Sequence, residues 1–338
     1  MIVTLTANPS IDRTVVLDSE LVRGGVHRAS TTSQDPGGKG VNVARVLTSA
    51  GVQAMAVLPA STGDPLLEAL NSAGVRYCAV PSDGLARTNI TVSEPGGTTT
   101  KINEPGSPLS VTTRDALFDT ILDLGRDAAW VALSGSLPPG IAGGWYADLV
   151  RALRTTSCKV AVDTSDEPLS SLATSFPESA PDLIKPNSEE LAQLTGVDAD
   201  ELERAASAGD PTAAVEAGRI LLTRGVGSVL ATLGSAGAVL VTSDGAWFAS
   251  PPRIDAISTV GAGDSSLAGY ILADIERCSP ADRLRRAVAF GTAATALPGT
   301  TLPTPDQARP EAVTVHALDS PSISNSSSTI PSSSSTLS

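Results

Sequence analysis

The stretch STVGAGDSSLAGY at 258–270 places Gly261, Ala262 and Gly263 directly before Asp264, where a helical pattern begins. Peptide N–H groups at a helix start cradle anions, and glycine lets a ligand come close to the backbone. No Lys-Ser/Thr follows these glycines, so this is not the nucleotide P-loop. An aspartate at the mouth of an anion cradle should repel the ligand. Phosphoryl transfer removes the conflict: the amides neutralise the migrating group while Asp264 takes the proton of an attacking hydroxyl lying between them. In isolation the same aspartate also reads as a helix N-cap.

Other stretches carry related chemistry. In DPGGKGVNVARVL (35–47), backbone amides at Gly37, Gly38 and Gly40 suit close contact with a ligand. Lys39 adds a point charge there, and Asn42 a donor and an acceptor one turn on. That set fits a phosphorylated polyol, or simply a Gly-rich helix entry. NPSID (8–12) follows the first strand and puts Asp12 at its end, where a carboxylate accepts from two sugar hydroxyls. SGSLPPG (134–140) offers Gly135 and Ser136 after another strand, and Arg87 and Lys101 supply cations for a phosphate. In KPNSEEL (185–191), Asn187 and Glu190 share one face of a first helical turn, where they either orient water around Mg²⁺ or form a capping box. ATLGSAGAVL (231–240) reads as strand, Gly turn and strand, fit to pass a backbone near a nucleotide.

Strand-length apolar runs at 2–7, 130–136, 159–165, 181–187 and 228–234 alternate with helical patterns at 40–51, 65–74, 113–125, 144–155, 188–196, 211–225, 264–277 and 281–297. That rhythm predicts a doubly wound α/β fold, a mostly parallel sheet flanked by helices, with ligands at the carboxyl ends of its strands. Two Thr-rich stretches, 12–35 and 85–106, alternate polar and apolar residues around Gly24-Gly25 and Pro95-Gly97. They read as antiparallel ribbons, either a small β-sheet lid over the site or an edge meander. From about His316 the chain turns Ser-rich and aperiodic, so 1–315 is taken as the folded domain and 316–338 as a disordered tail.

The formal charge of −13 argues against a nucleic-acid or membrane-surface partner. Four lysines stand among the 23 basic residues, and Lys39, Lys101 and Lys185 sit in motif-like settings. Cys78, Cys158 and Cys278 are far apart, without zinc or disulfide spacing. The N-terminus reads as a strand and not a signal peptide, and no segment has the length to span a bilayer. A cytoplasmic protein is expected.

Taken together, GGKGVNVA, KPNSEEL and STVGAGDSSLAG closely resemble the ribokinase-like carbohydrate kinases of the PfkB family. TLTANPSIDRTV, RTNI, INEPG and SGSLPPG resemble the branch holding 1-phosphofructokinase and tagatose-6-phosphate kinase, in colinear order from Met1 to about Leu302. The resemblance implies a ribokinase-like fold with a β lid, ATP as donor, Mg²⁺ as partner ion, K⁺ as a further ligand near 289–300, and a homodimer paired through the lid. It implies Asp264 as base, with Gly261, Ala262 and Gly263 as anion hole. By the same correspondence Asp12, Gly37, Gly38, Lys39 and Asn42 hold the sugar phosphate, Arg87 and Ser136 assist at its phosphate, and Lys101 lies nearby. Lys185, Asn187 and Glu190 serve the ATP phosphates and the metal, Glu190 through water, while Thr232, Gly234, Ser235, Gly237 and Gly263 face the nucleotide. The reaction so implied is phosphorylation of fructose 1-phosphate at its 6-hydroxyl. Tagatose-6-phosphate kinase and 6-phosphofructokinase activity are its nearest rivals, and an idle sugar-phosphate sensor is the rival of another class.

Overall fold

The computed structural model describes residues 1–319. The first half of the chain runs β1 (Ile2–Leu5), β2 (Ser10–Leu17), β3 (Ala29–Gly37), α1 (Lys39–Ser49), β4 (Ala54–Ala60), α2 (Pro65–Ser72), β5 (Tyr77–Pro81), β6 (Arg87–Ser93), β7 (Thr99–Asn103), α3 (Val111–Gly125), β8 (Trp130–Ser134), α4 (Trp145–Leu153) and β9 (Lys159–Asp163). There follow α5 (Asp166–Thr174), β10 (Leu183–Ile184), α6 (Ser188–Thr195), α7 (Ala199–Ser207), α8 (Thr212–Thr223), β11 (Ser228–Thr232), β12 (Ala238–Thr242), β13 (Gly245–Ser250), α9 (Ala262–Ile275), α10 (Pro280–Thr295) and β14 (Thr314–Asp319).

Ten strands form one sheet in the order β14-β13-β12-β11-β10-β9-β8-β1-β4-β5. Pairing is parallel from β5 across to β11 and antiparallel from β11 to β14. Central strands such as β1 and β8 are buried along their whole length, as a sheet covered on both faces requires. One face packs Leu117 and Ile121 of α3, Tyr146 and Leu149 of α4, Leu191 of α6 and Val215 of α8. The other packs Val43 and Leu47 of α1, Leu66 and Leu70 of α2, Ile271 of α9 and Leu284 of α10. From β1 the chain builds outward first to β4 and β5, then returns to β8 and builds the other way. In such sheets the ligand crevice lies at the carboxyl ends of the strands near the point where the strand order reverses, here between β1 and β8.

The Thr-rich ribbons form a separate sheet of order β3-β2-β6-β7. β2 and β3 pair antiparallel, as do β6 and β7, and the two ribbons join along a parallel β2–β6 seam. The sheet is slightly larger than expected, since β2 starts at Ser10 and β3 ends at Gly37.

Two expectations need correction. The domain does not end at residue 315: His316, Ala317, Leu318 and Asp319 belong to β14, which pairs with β13. Main-chain pairing at an open sheet edge, which composition does not report, recruits this segment. The remainder of the Ser-rich tail lies outside the described residues. Helices α5 and α7 were also not expected; α7 buries only Leu202 and Ala206, too little apolar surface to leave a clear pattern.

At the amino end of the sheet, opposite the crevice, the buried Asp274 of α9 accepts from Trp130 Nε1 at 2.9 Å and Lys159 Nζ at 2.8 Å. Arg283 NH1 of α10 lies 3.0 Å from its other oxygen. This carboxylate fastens two helices to β8 and β9. Asp274→Ala strands a buried indole N–H and a guanidinium, and urea unfolding should register a loss of about 3 kcal/mol. Ligand affinities at the far end of the sheet should stay unchanged.

Candidate active site

A cleft of ≈ 1490 Å³ opens along the carboxyl ends of β9, β10 and β11 and is lined by Lys39, Asp163, Lys185, Glu190, Gly263 and Asp264. Asp264 sits in the first turn of α9, with its carboxyl group buried. The N-cap of that helix is Gly261, at φ 73°, so Asp264 is not the cap. Left-handed backbone at Gly261 lets the chain turn sharply into the helix; the Ala262 N–H lies 3.4 Å from the Thr259 carbonyl, and the next first-turn N–H groups, those of Gly263 and Asp264, are left for a ligand. Asn42 Nδ2 of α1 donates to Asp264 Oδ2 at 2.8 Å. Burial, followed by the charge of Asp163, raises the Asp264 carboxyl to about 6. The group is thus held ionised near neutrality while remaining able to accept a proton.

Asp163 was not singled out in the sequence, although it ends the apolar run KVAVDTS. It is 1% exposed and receives Lys39 Nζ on Oδ1 at 2.7 Å. Lys185 Nζ lies 3.1 Å from Oδ2, off the direction of a hydrogen bond, so that contact is an ion pair and Oδ2 keeps acceptor capacity. Burial works against the charge of Asp163, but Lys185 and Lys39 outweigh it and hold the carboxyl below its ordinary range. Lys39 is correspondingly pushed up, with Asp163 foremost in overcoming the effect of burial. Lys39 therefore leans on a carboxylate beneath the cleft, and Asn42, expected on the sugar, donates its amide to Asp264. The Gly263 position completes this floor: a Cβ there would lie 3.1 Å from Lys185 Nζ.

The structure shows the capping-box reading of KPNSEEL. Asn187 Oδ1 accepts from Glu190 N at 2.7 Å, and Glu190 Oε2 accepts from Asn187 N at 2.9 Å, a complete capping box. Glu190 is nevertheless buried at the cleft wall, and burial raises its carboxyl above the ordinary range. Among the described residues its Oε1 takes no protein hydrogen bond, and no group of three or more His, Cys, Asp or Glu could cage a metal ion. Such a donor set fits a hydrated Mg²⁺ held through water, not a cage of protein ligands. Thr232 forms an isolated bridge with Asn187 at the end of β11. Beyond it Gly234 and Ser235 form a tight turn, and Gly237 follows at φ 119°, where a Cβ would strike the carbonyl of Ala249. All four line the cleft.

Asp12 is not at the end of β1, which stops at Leu5; it is the third residue of the lid strand β2. Its Oδ1 accepts from Ser10 Oγ at 2.7 Å and from Asn89 Nδ2 of β6 at 3.0 Å. Gly37 pairs with Ser10 across the β2–β3 ladder, and a Cβ at 37 would collide with the Asp12 carboxyl. At Gly38, φ 105° and the nearness of Thr6 Cγ2 likewise exclude a side chain. The two lid cations do not converge. Lys101 of β7 lines the large cleft, whereas Arg87 lines a small neighbouring pocket with Asn8. There Arg87 NH2 lies 3.5 Å and Asn8 Nδ2 3.4 Å from Ser136 Oγ. Asn8 and Asn89 went unremarked because an asparagine in a Thr- and Ser-rich stretch carries no spacing signal.

Comparison with known proteins agrees with this arrangement. The pfkB family carbohydrate kinase profile matches residues 5–307. A 1-phosphofructokinase of Rhodobacter capsulatus is 35% identical over 94% of this chain and 98% of its own. One from Xanthomonas campestris pv. campestris is 35% identical over 82% and 87%. Escherichia coli phosphofructokinase-2, solved in complex with substrates and products, superposes with a TM-score of 0.80 at 31% identity, over 91% of this chain and 96% of that one. The architecture is ribokinase-like, and the chain belongs to the pfkB family of carbohydrate kinases.

Proposed function

We propose that this kinase phosphorylates fructose 1-phosphate at its 6-hydroxyl with ATP, giving fructose 1,6-bisphosphate and ADP. The observation that carries the reading is a buried base, Asp264, beside an anion cradle, in a chain whose relatives at 35% identity are 1-phosphofructokinases. Asp12 and the Gly37–Gly38 backbone accept and donate to the sugar hydroxyls, and Arg87, Ser136 and Asn8 hold its phosphate. Lys101 covers the cleft from the lid side.

The 6-hydroxyl gives its proton to Asp264, and the oxygen attacks the γ-phosphorus. The bond from that phosphorus to the bridging oxygen of ADP breaks, and the first-turn amides of α9 and Lys185 take up the charge on the equatorial oxygens. Asn42, on Oδ2, leaves the other carboxylate oxygen to meet the hydroxyl. Thr232, Gly234, Ser235 and Gly237 border the nucleotide. Glu190, through water, would hold a Mg²⁺ ion, which would supply charge neutralisation at the phosphates. The segment 289–300 is the candidate K⁺ border. A cytoplasmic location accords with the chemistry of a metabolic kinase, and no described helix is long and apolar enough to cross a membrane. Pairing of two copies through the lid accords with the exposure of Val22, Val26 and Ile102 on it.

A panel of ketohexose phosphates with ATP tests the substrate: fructose 1-phosphate should give the highest kcat/KM, and equal turnover of fructose 6-phosphate or tagatose 6-phosphate would overturn that choice. In the same assay Asp264→Asn should lower kcat by about three orders of magnitude while both ligands still bind, an outcome no idle sensor would produce. Since the base must be ionised, kcat should be level above its titration at about 6 and fall roughly tenfold per pH unit below it. Analytical ultracentrifugation should find a dimer that Val26→Asp weakens.

A further inference from the structure

Arg45, Asp35 and Thr300 have no part in the reaction as described, yet they form a continuous polar path to its base. Asp35 lies on lid strand β3, paired in register with Asp12 on β2. Its Oδ1 accepts from Arg45 NH2 of α1 at 3.1 Å, and its Oδ2 accepts from Thr300 Oγ1 at 2.7 Å. Arg45 is 14% exposed and also donates through NH1 to the carbonyl of Pro36 at 3.2 Å. The same NH1 lies 3.5 Å from Asn42 Oδ1, one turn earlier on α1. With its oxygen turned to a guanidinium, the Asn42 amide presents its NH₂ to Asp264, as its 2.8 Å bond requires. Thr300 is buried, and its neighbour Gly299 offers a carbonyl to Ser258 Oγ at 2.9 Å, just before the Gly261–Gly263 cradle.

We propose that Asp35 is a positioning residue for the catalytic base, acting through Arg45 and Asn42, with Thr300 as the latch that seats it. The lid strand that carries it also faces the sugar-binding Asp12, so seating of the lid and alignment of the base share one carboxylate. Asp35→Asn keeps the shape but gives up the charge that holds Arg45; Thr300→Val cuts the latch and leaves the ion pair. Neither residue borders the large cleft. This inference rests on the phosphoryl-transfer reading above, with Asp264 as base.

The test is steady-state kinetics on the full chain with fructose 1-phosphate and ATP, together with a double-mutant cycle. Asp35→Asn should lower kcat by about 10- to 100-fold, and Thr300→Val by about fivefold, with KM for either substrate within about twofold and thermal midpoints close to wild type. In an Asn42→Ala background, Asp35→Asn should cost nothing further, because the two act in series. Overturning results are a kcat within threefold of wild type for both variants, a loss expressed in KM, or full additivity with Asn42→Ala. The wild-type arm separates the two readings: no turnover there with any ketohexose phosphate sinks the proposed reaction and this inference together, whereas an active wild type with unmoved variants sinks the inference alone.

Discussion

A carboxylate with almost no access to water, flanked by two ammonium groups, holds this site in its working shape. Asp163 brings Lys39, from the start of α1, and Lys185, from the end of β10, onto one point below the cleft. Removed from solvent, such a charge persists only with close counter-ions, so the two elements are tied to the end of β9. The same charge reaches Asp264 and, after burial, is the main reason that its titration moves toward neutrality. One group thus sets both the position of the two ammonium groups at the cleft floor and the proton affinity of Asp264.

The scaffold makes this arrangement attainable. Functional groups emerge at successive carboxyl ends of parallel strands: Ser136 just after β8, Asp163 at β9, Lys185 after β10 and Thr232 at β11. α1 and α9 pack side by side on one face, so Asn42 and Asp264, far apart in sequence, meet. The second sheet reaches the cleft, which Lys101 of β7 lines, and β3 ends at Gly37 beside the Gly38–Lys39 entry to α1.

Much of this was legible in the residues. The parallel α/β core followed from strand-length apolar runs alternating with helical patterns, and the separate small sheet from Thr-rich alternation that could not form a core. Seven separated stretches in colinear order pointed to the pfkB family. What escaped notice depends on contacts between distant segments. Asp163 looked like any acid after a strand, and only the meeting of Lys39 and Lys185 on it gives it meaning. Asp12 was read as the end of β1 because a one-dimensional pattern does not say that the chain has already crossed into another sheet. Asn187 and Glu190 fitted two local rules at once, and the structure shows one of them, the capping box at the helix start, with the Glu190 side chain at the cleft wall.

The edge strand β14 bears on how the chain can be cut. Its hydrogen bonds to β13 cover what would otherwise be an open border of the large sheet. A construction shortened ahead of Thr314 would bare that border to any neighbouring polypeptide, inviting edge-to-edge aggregation, whereas trimming that spares everything through Asp319 leaves the seam closed.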